Sequence, residues 1–298
     1  MKEYICIDIG GTTIKYGIIN EAERFRYRDE RPTEAHLGGS HIMKKVIELI
    51  RGLMKECSSE GICVSTAGMV DCKTGIITYA APLIPEYTGT PVKEILENTF
   101  AVPCEVENDV NCAGLAECYA GAAKGSSISV CLTVGTGIGG ALIMDNKVVH
   151  GFSGSACEIG YMHLPGGVFQ DIGAASILVK KVAEMKAVSE EKINGKYVFA
   201  QAKKGDKDCI KAIDEMIDAL GMGIANICYV VNPEIVVLGG GIMAQKEYLQ
   251  EKLEQSVKRY LIPALADKTT IAFAENQNQA GMLGAYFHFR ASHKETAF

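Results

Sequence analysis

The first candidate for chemistry is a polar turn near the N-terminus that follows a hydrophobic run. Its residues are Asp8-Ile9-Gly10-Gly11-Thr12-Thr13-Ile14-Lys15. Paired glycines permit a tight reversal in which backbone N–H groups approach an anion closely. A carboxylate before such a turn would repel bare phosphate, so Asp8 fits if Mg²⁺ stands between them, with water molecules as bridges. The turn therefore predicts phosphate binding, although paired glycines also mark many purely structural turns.

A second turn of the same kind lies about half a chain later. Its residues are Leu132-Thr133-Val134-Gly135-Thr136-Gly137-Ile138-Gly139-Gly140-Ala141-Leu142-Ile143. Like the first, it joins two apolar strands through glycine and threonine, and the recurrence predicts a duplicated architecture. A third cluster, Gly239 to Gly241, follows the continuous apolar run 235–238, which is typical of a parallel strand buried on both faces. Open α/β sheets bind ligands at the ends of such strands.

A third kind of signal is the polar cluster Glu107-Asn108-Asp109 after the apolar run 102–106. Phosphoryl transfer needs a group that accepts the proton of the attacking hydroxyl, together with donors that hold the phosphate. Asp109 is the candidate acceptor, because a polar cluster of this kind would be costly in a core. From spacing alone, a strand-ending turn or an N-cap for the following helix explains the cluster at least as well.

The order of these segments resembles the ROK family of sugar kinases, within the actin, hexokinase and Hsp70 ATPase superfamily. The segments that carry the resemblance are Asp8-Ile9-Gly10-Gly11-Thr12, Glu107-Asn108-Asp109, Gly135-Thr136-Gly137-Ile138-Gly139, Glu158-Ile159-Gly160 and Asn232-Pro233-Glu234 followed by Gly239-Gly240-Gly241. They span nearly the whole chain. The resemblance implies an α/β, two-domain actin-like ATPase (ribonuclease H-like) fold with an interdomain cleft. It implies one domain of residues 1–117, with a C-terminal helix at 285–298 packing back on it, and a second domain of residues 118–284.

The resemblance also implies roles for individual residues and two cofactors, ATP and Mg²⁺. Asp109 would be the catalytic group that accepts the proton of the sugar's 6-hydroxyl, and Asn108 would orient a neighbouring hydroxyl. The further sugar contacts would be Gly68, Glu158, Tyr161 and Gln170. The ATP-binding residues would be Asp8, Gly10, Gly11, Thr12, Lys15, Thr133, Gly135, Thr136, Gly137, Gly239, Gly240 and Gly241. Asp8 would hold Mg²⁺ through water.

Three departures from the family pattern bear on specificity. The sugar-side loop 65–70 lacks the family's common Pro-Gly-Pro and keeps only Gly68. Tyr161 replaces a histidine that ligates zinc in many members, and residues 164–171 contain no cysteine, so we predict no zinc site. Gln170 replaces a sugar-contacting glutamate near the anomeric end, which favours a substituted C1, as in a β-glucoside such as cellobiose. The resemblance also leaves open a glucokinase or an N-acetylmannosamine kinase.

Hydrophobic periodicity predicts the elements that position these residues. Strands are expected at 62–67, 76–80, 102–106, 128–134 and 235–238. Helices are expected at 41–55, 92–100, 111–121, 174–186, 209–231, 245–260 and 280–290. Strands that alternate with helices in this way predict a mixed α/β architecture.

Composition excludes several classes of function. A net charge of −6 provides no basic field for nucleic acid, and no apolar run is long enough to span a membrane. Eleven cysteines without a Cys-x-x-Cys pair indicate reduced, mostly buried side chains. We expect a cytoplasmic protein with a sugar as substrate, no nucleic acid or membrane partner, and a homodimer, as in relatives.

Two other classes of function compete with a sugar kinase. ROK-type transcriptional repressors carry a DNA-binding segment before the first phosphate turn, and here the turn's aspartate is residue 8, which disfavours that class. A sugar-independent actin-like ATPase would not require the hydroxyl-binding set of Asn108, Asp109 and Glu158. Stimulation of ADP release by a sugar distinguishes the kinase from the ATPase.

Overall fold

Strands and helices alternate along the chain, as the hydrophobic periodicity predicts. The computed structural model describes residues 1–80 and 84–293. The elements from the N-terminus onward are β1 (Glu3–Ile9), β2 (Thr13–Asn20), β3 (Phe25–Pro32), α1 (Gly39–Leu53), β4 (Ser59–Thr66), β5 (Met69–Asp71), β6 (Ile76–Tyr79), α2 (Val92–Phe100), β7 (Cys104–Asn108) and α3 (Asp109–Ala120). They continue as β8 (Ile128–Val134), β9 (Ile138–Met144), β10 (Lys147–Val148), β11 (His163–Leu164), β12 (Gly167–Val168), α4 (Phe169–Gly173), α5 (Ala175–Met185), α6 (Gly195–Ala202), α7 (Lys207–Val231), β13 (Ile235–Gly239), α8 (Lys246–Tyr260), α9 (Pro263–Ala266), β14 (Thr270–Phe273) and α10 (Ala280–Ser292).

These elements form two compact units. Of the described residues, the first unit contains those of 1–119, the short segment 150–156 and residues 278–293. The second contains residues 120–149 and 157–277. The sequence-based division placed the boundary after residue 117 and the return to the first domain at residue 285; residues 294–298 of that returning segment lie outside the described part of the chain.

The first unit is built on a five-stranded sheet with the order β3-β2-β1-β4-β7. Strands β1, β2 and β3 are antiparallel, whereas β1, β4 and β7 are parallel. Side chains alternate between the two faces of β1, since successive residues in a strand point to opposite sides. Ile5 and Ile7 pack on one face with α1 and α2, and Tyr4 and Cys6 pack on the other with α10. Burial on both faces explains why the run is continuously apolar.

The second unit repeats this plan with the order β10-β9-β8-β13-β14. Strands β8, β9 and β10 are antiparallel, and β8, β13 and β14 are parallel. Its core includes alternate residues of β8 and the buried faces of α7 and α8. The predicted duplication is therefore confirmed, because each sheet consists of a hairpin with a phosphate-type turn and parallel strands beside it.

Two further expectations concern the cysteines and the membrane. All eleven cysteines are free, and eight of them are buried, which confirms their use as small apolar side chains. In the described part of the chain, none of the helices is both long and apolar enough to cross a bilayer.

Candidate active site

In the first unit, sheet register brings the predicted site segments to one edge. Ile9 pairs with Thr66, and Thr66 pairs with Asn108, across the parallel strands β1, β4 and β7. The carboxyl ends of these three strands therefore finish level with one another. The glycine turn after β1, the loop after β4 and Asp109 after β7 all leave the sheet at this edge, which is where open α/β sheets place ligand sites.

The first glycine turn is closed by its own carbonyl groups. Gly10 N donates to Thr13 O at 3.0 Å, Thr33 Oγ1 donates to Gly10 O at 2.6 Å, and Thr33 N donates to Thr12 O at 2.8 Å. Gly11 and Thr12 are exposed at the tip. With carbonyl oxygens directed into the protein, the tip is suited to present donors rather than acceptors to a phosphate.

Asp8 is buried beneath this turn and has two side-chain partners. Ser65 Oγ donates to Asp8 Oδ1 at 2.7 Å, and Lys15 Nζ lies 3.2 Å from Oδ2 as an ion pair. Lys15, which the sequence assigned to phosphate, thus contacts the carboxylate. Mg²⁺ usually keeps several water ligands and takes one or two protein carboxylates together with substrate phosphates. A carboxylate already holding two donors fits the water-mediated role predicted for Asp8.

Asn108 and Asp109 have different roles at the start of α3. Asn108 Oδ1 accepts from Val110 N at 2.9 Å and Asn111 N at 3.1 Å, so Asn108 supplies the helix cap. Its Nδ2 donates to Gly68 O at 2.9 Å and to Asp109 Oδ1 at 3.2 Å. Asp109 Oδ1 also accepts from Val110 N at 2.9 Å. The half-buried Asp109 carboxylate therefore lies at the positive end of the α3 dipole, oriented by its neighbour.

The sugar-side loop bends at Gly68, where φ is +98° and an added Cβ would lie 2.7 Å from Tyr79 O. An L-amino acid with a side chain would be strained at this φ, so glycine is required even without the family's flanking prolines. The bend places Gly68 O against the Asn108 amide. Tyr87 is buried nearby and shares a 2.7 Å hydroxyl contact with Thr66. Burial raises the pKa of Tyr87 to about 12, with a smaller contribution from the negative charge of Asp109.

Directly behind this pair lies Glu107, whose side chain is completely buried. It accepts hydrogen bonds from Asn108 N at 2.7 Å, Asn111 Nδ2 at 2.9 Å and His150 Nε2 at 2.6 Å. Burial alone would raise the pKa of Glu107, but the hydrogen bond from His150 and the nearby His288 lower it overall. The same hydrogen bond raises the pKa of His150. Sequence reasoning did not include His150, which lies 43 residues away in the chain.

In the second unit, Thr133 at the end of β8 pairs with Gly239 at the end of β13, so the second and third glycine segments share an edge. Gly135 N donates to Gly137 O at 2.9 Å within the turn. Ser176, in the first turn of α5, donates from N to Gly135 O at 3.3 Å and from Oγ to Thr136 O at 2.6 Å. The positive end of α5 therefore lies beside the predicted phosphate turn.

The triglycine segment after β13 contacts the neighbouring strand. Gly240 has φ +106°, and a Cβ there would lie 2.2 Å from Val134 O, so only glycine fits. Gly241 has open space around its Cβ position. The approach to β8 explains the structural need for Gly240, and the open space beside Gly241 leaves room for a ligand.

The predicted sugar contacts of this unit are differently exposed. Glu158 and Tyr161 lie at the surface. The surrounding protein nevertheless removes enough water from Glu158 to raise its pKa. Gln170 is half-buried, and its Oε1 lies 2.8 Å and 3.0 Å from the positions that Cβ atoms on Gly137 and Gly160 would occupy. Its neighbour in α4, the buried Phe169, fixes the position of Gln170 through the core. Gln170 is thus wedged between the phosphate turn and the Glu158 segment.

Comparison with known proteins gives a consistent result. The ROK family profile matches residues 4–291. An uncharacterized protein of Clostridium perfringens is 53% identical over 290 residues, covering 97% of this chain and 98% of its own. A beta-glucoside kinase of Listeria monocytogenes is 31% identical, covering 95% of each chain. The crystal structure of a ROK family glucokinase from Streptomyces griseus, in complex with glucose and AMPPNP, superposes with a TM-score of 0.83 at 26% identity, covering 95% of this chain and 97% of that one. The predicted fold class is confirmed.

Proposed function

We propose that this chain, which belongs to the ROK family and is a sugar kinase, transfers the γ-phosphate of ATP to the 6-hydroxyl of a hexose or β-glucoside, with a cellobiose-type β-glucoside favoured. The observation that carries the proposal is the pairing of Asn108 and Asp109 at the start of α3, level with the Asp8 turn in the same sheet. A base and a phosphate-binding turn at one sheet edge are what phosphoryl transfer requires.

In this proposal Asp109 accepts the proton of the attacking hydroxyl. Its Oδ1 is held by Asn108 Nδ2 and Val110 N, so the carboxylate is oriented before the sugar binds. Asn108 also fixes the Gly68 loop, and this contact joins the base to the sugar-side loop. Removing Asp109 should therefore reduce turnover, whereas removing Asn108 should disturb both the base and sugar affinity.

Donors at the two glycine turns would bind the phosphates of ATP. The first turn contributes Gly10, Gly11, Thr12 and Lys15. The second contributes Thr133, Gly135, Thr136 and Gly137, supported by the N-terminus of α5, and Gly239 to Gly241 would contact adenosine. Mg²⁺, held by Asp8 through water, would neutralise charge on the phosphates. Lys15 would hold the Asp8 carboxylate in place and add positive charge beside it.

The proposed preference for a β-glucoside depends on the second unit. Glu158 and Tyr161 are exposed, and Gln170 replaces the glutamate of the family pattern. Because Gln170 Oε1 is packed toward Gly137 and Gly160, contact with the sugar would fall to Nε2, which only donates. A donor can pair with the ether oxygen of a substituted C1. The beta-glucoside kinase relative supports this acceptor class, and glucokinase or N-acetylmannosamine kinase activity is the alternative.

The test measures ADP release with glucose, cellobiose, gentiobiose, N-acetylmannosamine and N-acetylglucosamine in turn. The proposal predicts stimulation by a sugar, greatest with a β-glucoside. Asp109→Asn should lower kcat by at least about 100-fold, the lower end of general-base contributions, with little change in KM for the sugar. Asp145→Asn, at an exposed turn, is the matched control and should behave like wild type. Unchanged turnover in Asp109→Asn, or ADP release that no sugar stimulates, would refute the proposal.

A further inference from the structure

A cluster of metal-ligand side chains from four chain segments lies behind the Asn108–Asp109 pair. Cys72 follows β5, Glu107 lies in β7 and His288 lies in α10, and one ligand atom from each lies within 4.8 Å of the others. His150, from the short segment that joins the first unit, has its Nε2 3.4 Å from Cys72 Sγ and 2.6 Å from Glu107 Oε2. All four residues belong to the first unit.

Two separations in this cluster are close to those of a tetrahedral zinc site. Zinc ligands at 2.0–2.3 Å lie about 3.3–3.6 Å from one another. The separation of Cys72 Sγ from His150 Nε2 is 3.4 Å, and that of His288 Nδ1 from Glu107 Oε2 is 3.6 Å. The His150–Glu107 contact is shorter, because a hydrogen-bonding proton now joins these two atoms. Replacing that proton by a cation would need a separation greater by about 0.8 Å.

Neither ring nitrogen of His288 makes a hydrogen bond to Glu107. The His288 side chain is 13% exposed, its Nδ1 is beyond hydrogen-bond distance from the carboxylate, and its Nε2 is buried with no partner among the described residues. Nδ1, the nitrogen nearer Glu107, would be the ligand, and it makes no hydrogen bond in the described residues.

We propose that Cys72, Glu107, His150 and His288 bind one Zn²⁺ ion with a sulfur, a carboxylate oxygen and two imidazole nitrogens. Two anionic and two neutral ligands balance the charge of the ion, so the buried site would be neutral. The ion would fix Glu107, and through Glu107 the backbone of Asn108. The site does not depend on the sugar-kinase proposal, and it uses none of the residues of the family's zinc motif. It departs from the sequence-based expectation of no zinc site, which rested on Tyr161 and the absence of cysteine from residues 164–171.

Binding of Zn²⁺ would release a defined number of protons. The Cys72 thiol gives up one proton, since only the thiolate ligates, and His150 gives up the proton that it now shares with Glu107. Two protons should therefore be released per ion when His150 is initially protonated, and affinity should increase with pH.

The test uses the full chain, stripped of metal by a chelator and titrated with Zn²⁺ and separately with Co²⁺. We expect one equivalent of Zn²⁺ by elemental analysis after gel filtration. Co²⁺ should give the visible bands of a tetrahedral ion and a thiolate-to-cobalt charge-transfer band. Cys72→Ser should abolish the charge-transfer band, and Cys72→Ser and His288→Gln should each weaken Zn²⁺ binding by more than about 100-fold, because even the loss of an outer-shell partner costs 10–100-fold.

Cys57→Ser and His36→Gln are the matched controls, since they replace the same residue types in the first unit outside the cluster. Both should retain one equivalent of metal. Circular dichroism at 20–25 °C checks that each variant is folded. Three outcomes would overturn the proposal: no stoichiometric binding by folded wild type, a cobalt spectrum without a thiolate band, or equal metal retention in Cys72→Ser and wild type. Sugar-kinase activity does not enter this test, so the two proposals fail independently.

Discussion

The wedge formed by Gln170 between two glycine segments leads to a prediction that separates packing from phosphate binding. A Cβ on Gly137 would lie 2.8 Å from Gln170 Oε1, whereas ordinary contact begins at 3.4 Å. The amide must therefore move by about 0.6 Å in Gly137→Ala. Overpacking of this kind costs about 1–3 kcal/mol, and we expect the lower half of that range because the obstacle is the end of a flexible side chain. The free energy of unfolding from urea denaturation measures the cost.

Gly135→Ala is the matched control in the same turn. A Cβ at Gly135 meets no atom within 4 Å, so the free energy of unfolding should change by less than about 0.5 kcal/mol. In the proposed kinase that open space faces the phosphates, and KM for ATP should therefore increase in Gly135→Ala. The two alanines should thus differ: one affects stability and the other affects ATP affinity.

A double-mutant cycle with Gln170→Ala tests whether Gln170 causes the destabilisation by Gly137→Ala. If the steric conflict is with Oε1, the destabilisation by Gly137→Ala should fall by about 1 kcal/mol in the Gln170→Ala background, within the usual range of coupling between touching residues. Equal destabilisation in both backgrounds would refute the assignment of Gln170 as the obstacle. Equal destabilisation by Gly135→Ala and Gly137→Ala would refute the wedge altogether.

Three further predictions concern stability. Gly284→Ala places a Cβ 1.8 Å from Cys112 O and should lower the free energy of unfolding by about 3 kcal/mol or more in urea titrations, whereas Gly52→Ala, which meets nothing within 4 Å, should raise it by about 0.5–1 kcal/mol. Ser65→Ala removes the donor to the buried Asp8 and should cost about 1.5–3 kcal/mol, against no measurable cost for the exposed Ser58→Ala, by the same titration. Asp206 has its pKa lowered from 3.8 to about 2 by the hydrogen bond from Lys186 and by its cap to Cys209 N, so its contribution is present above pH 3.8 and is lost as the pH falls through about 2. The Tm advantage of wild type over Asp206→Asn should shrink across that interval, and a constant difference from pH 7 to 2 would contradict the linkage.

Most of the fold could be predicted from the sequence because local patterns agree with the tertiary arrangement. The continuous apolar runs of β1 and β8 are buried on both faces, and the pairs of glycines occur where each chain reverses into β2 and β9. The helix predicted at 92–100 is α2, with the same bounds. Among the elements that were predicted, the differences lie at the ends: the helix expected at 209–231 already begins at Lys207 as α7, since Asp206 caps it. The strands β3 and β14 and the helix α6 were not predicted.

Side-chain partners across the sheet could not be predicted in the same way. No motif marks His150, Cys72 or His288 as a partner of Glu107, and they meet it only because β5, β7 and α10 are packed together by the fold. Lys15 was assigned to phosphate through the family resemblance, yet strand register places it directly opposite Asp8. The contacts of Glu107 depend on long-range packing and that of Lys15 on the register of a hairpin, and neither was predicted from the sequence.

The alternatives that the sequence left open at Glu107-Asn108-Asp109 prove not to exclude one another. A helix cap needs a side-chain oxygen directed at the first N–H groups, and Asn108 provides it. Since the cap is one residue earlier, Asp109 becomes the first residue of α3, where the dipole favours its negative charge. The cap therefore fixes the position of Asp109, the residue that would act as base. A strand-ending turn without a cap would leave that base less rigid. The helix cap and the proposed catalysis thus favour the same three residues in the same order. Spacing alone therefore could not distinguish the structural interpretation from the catalytic one.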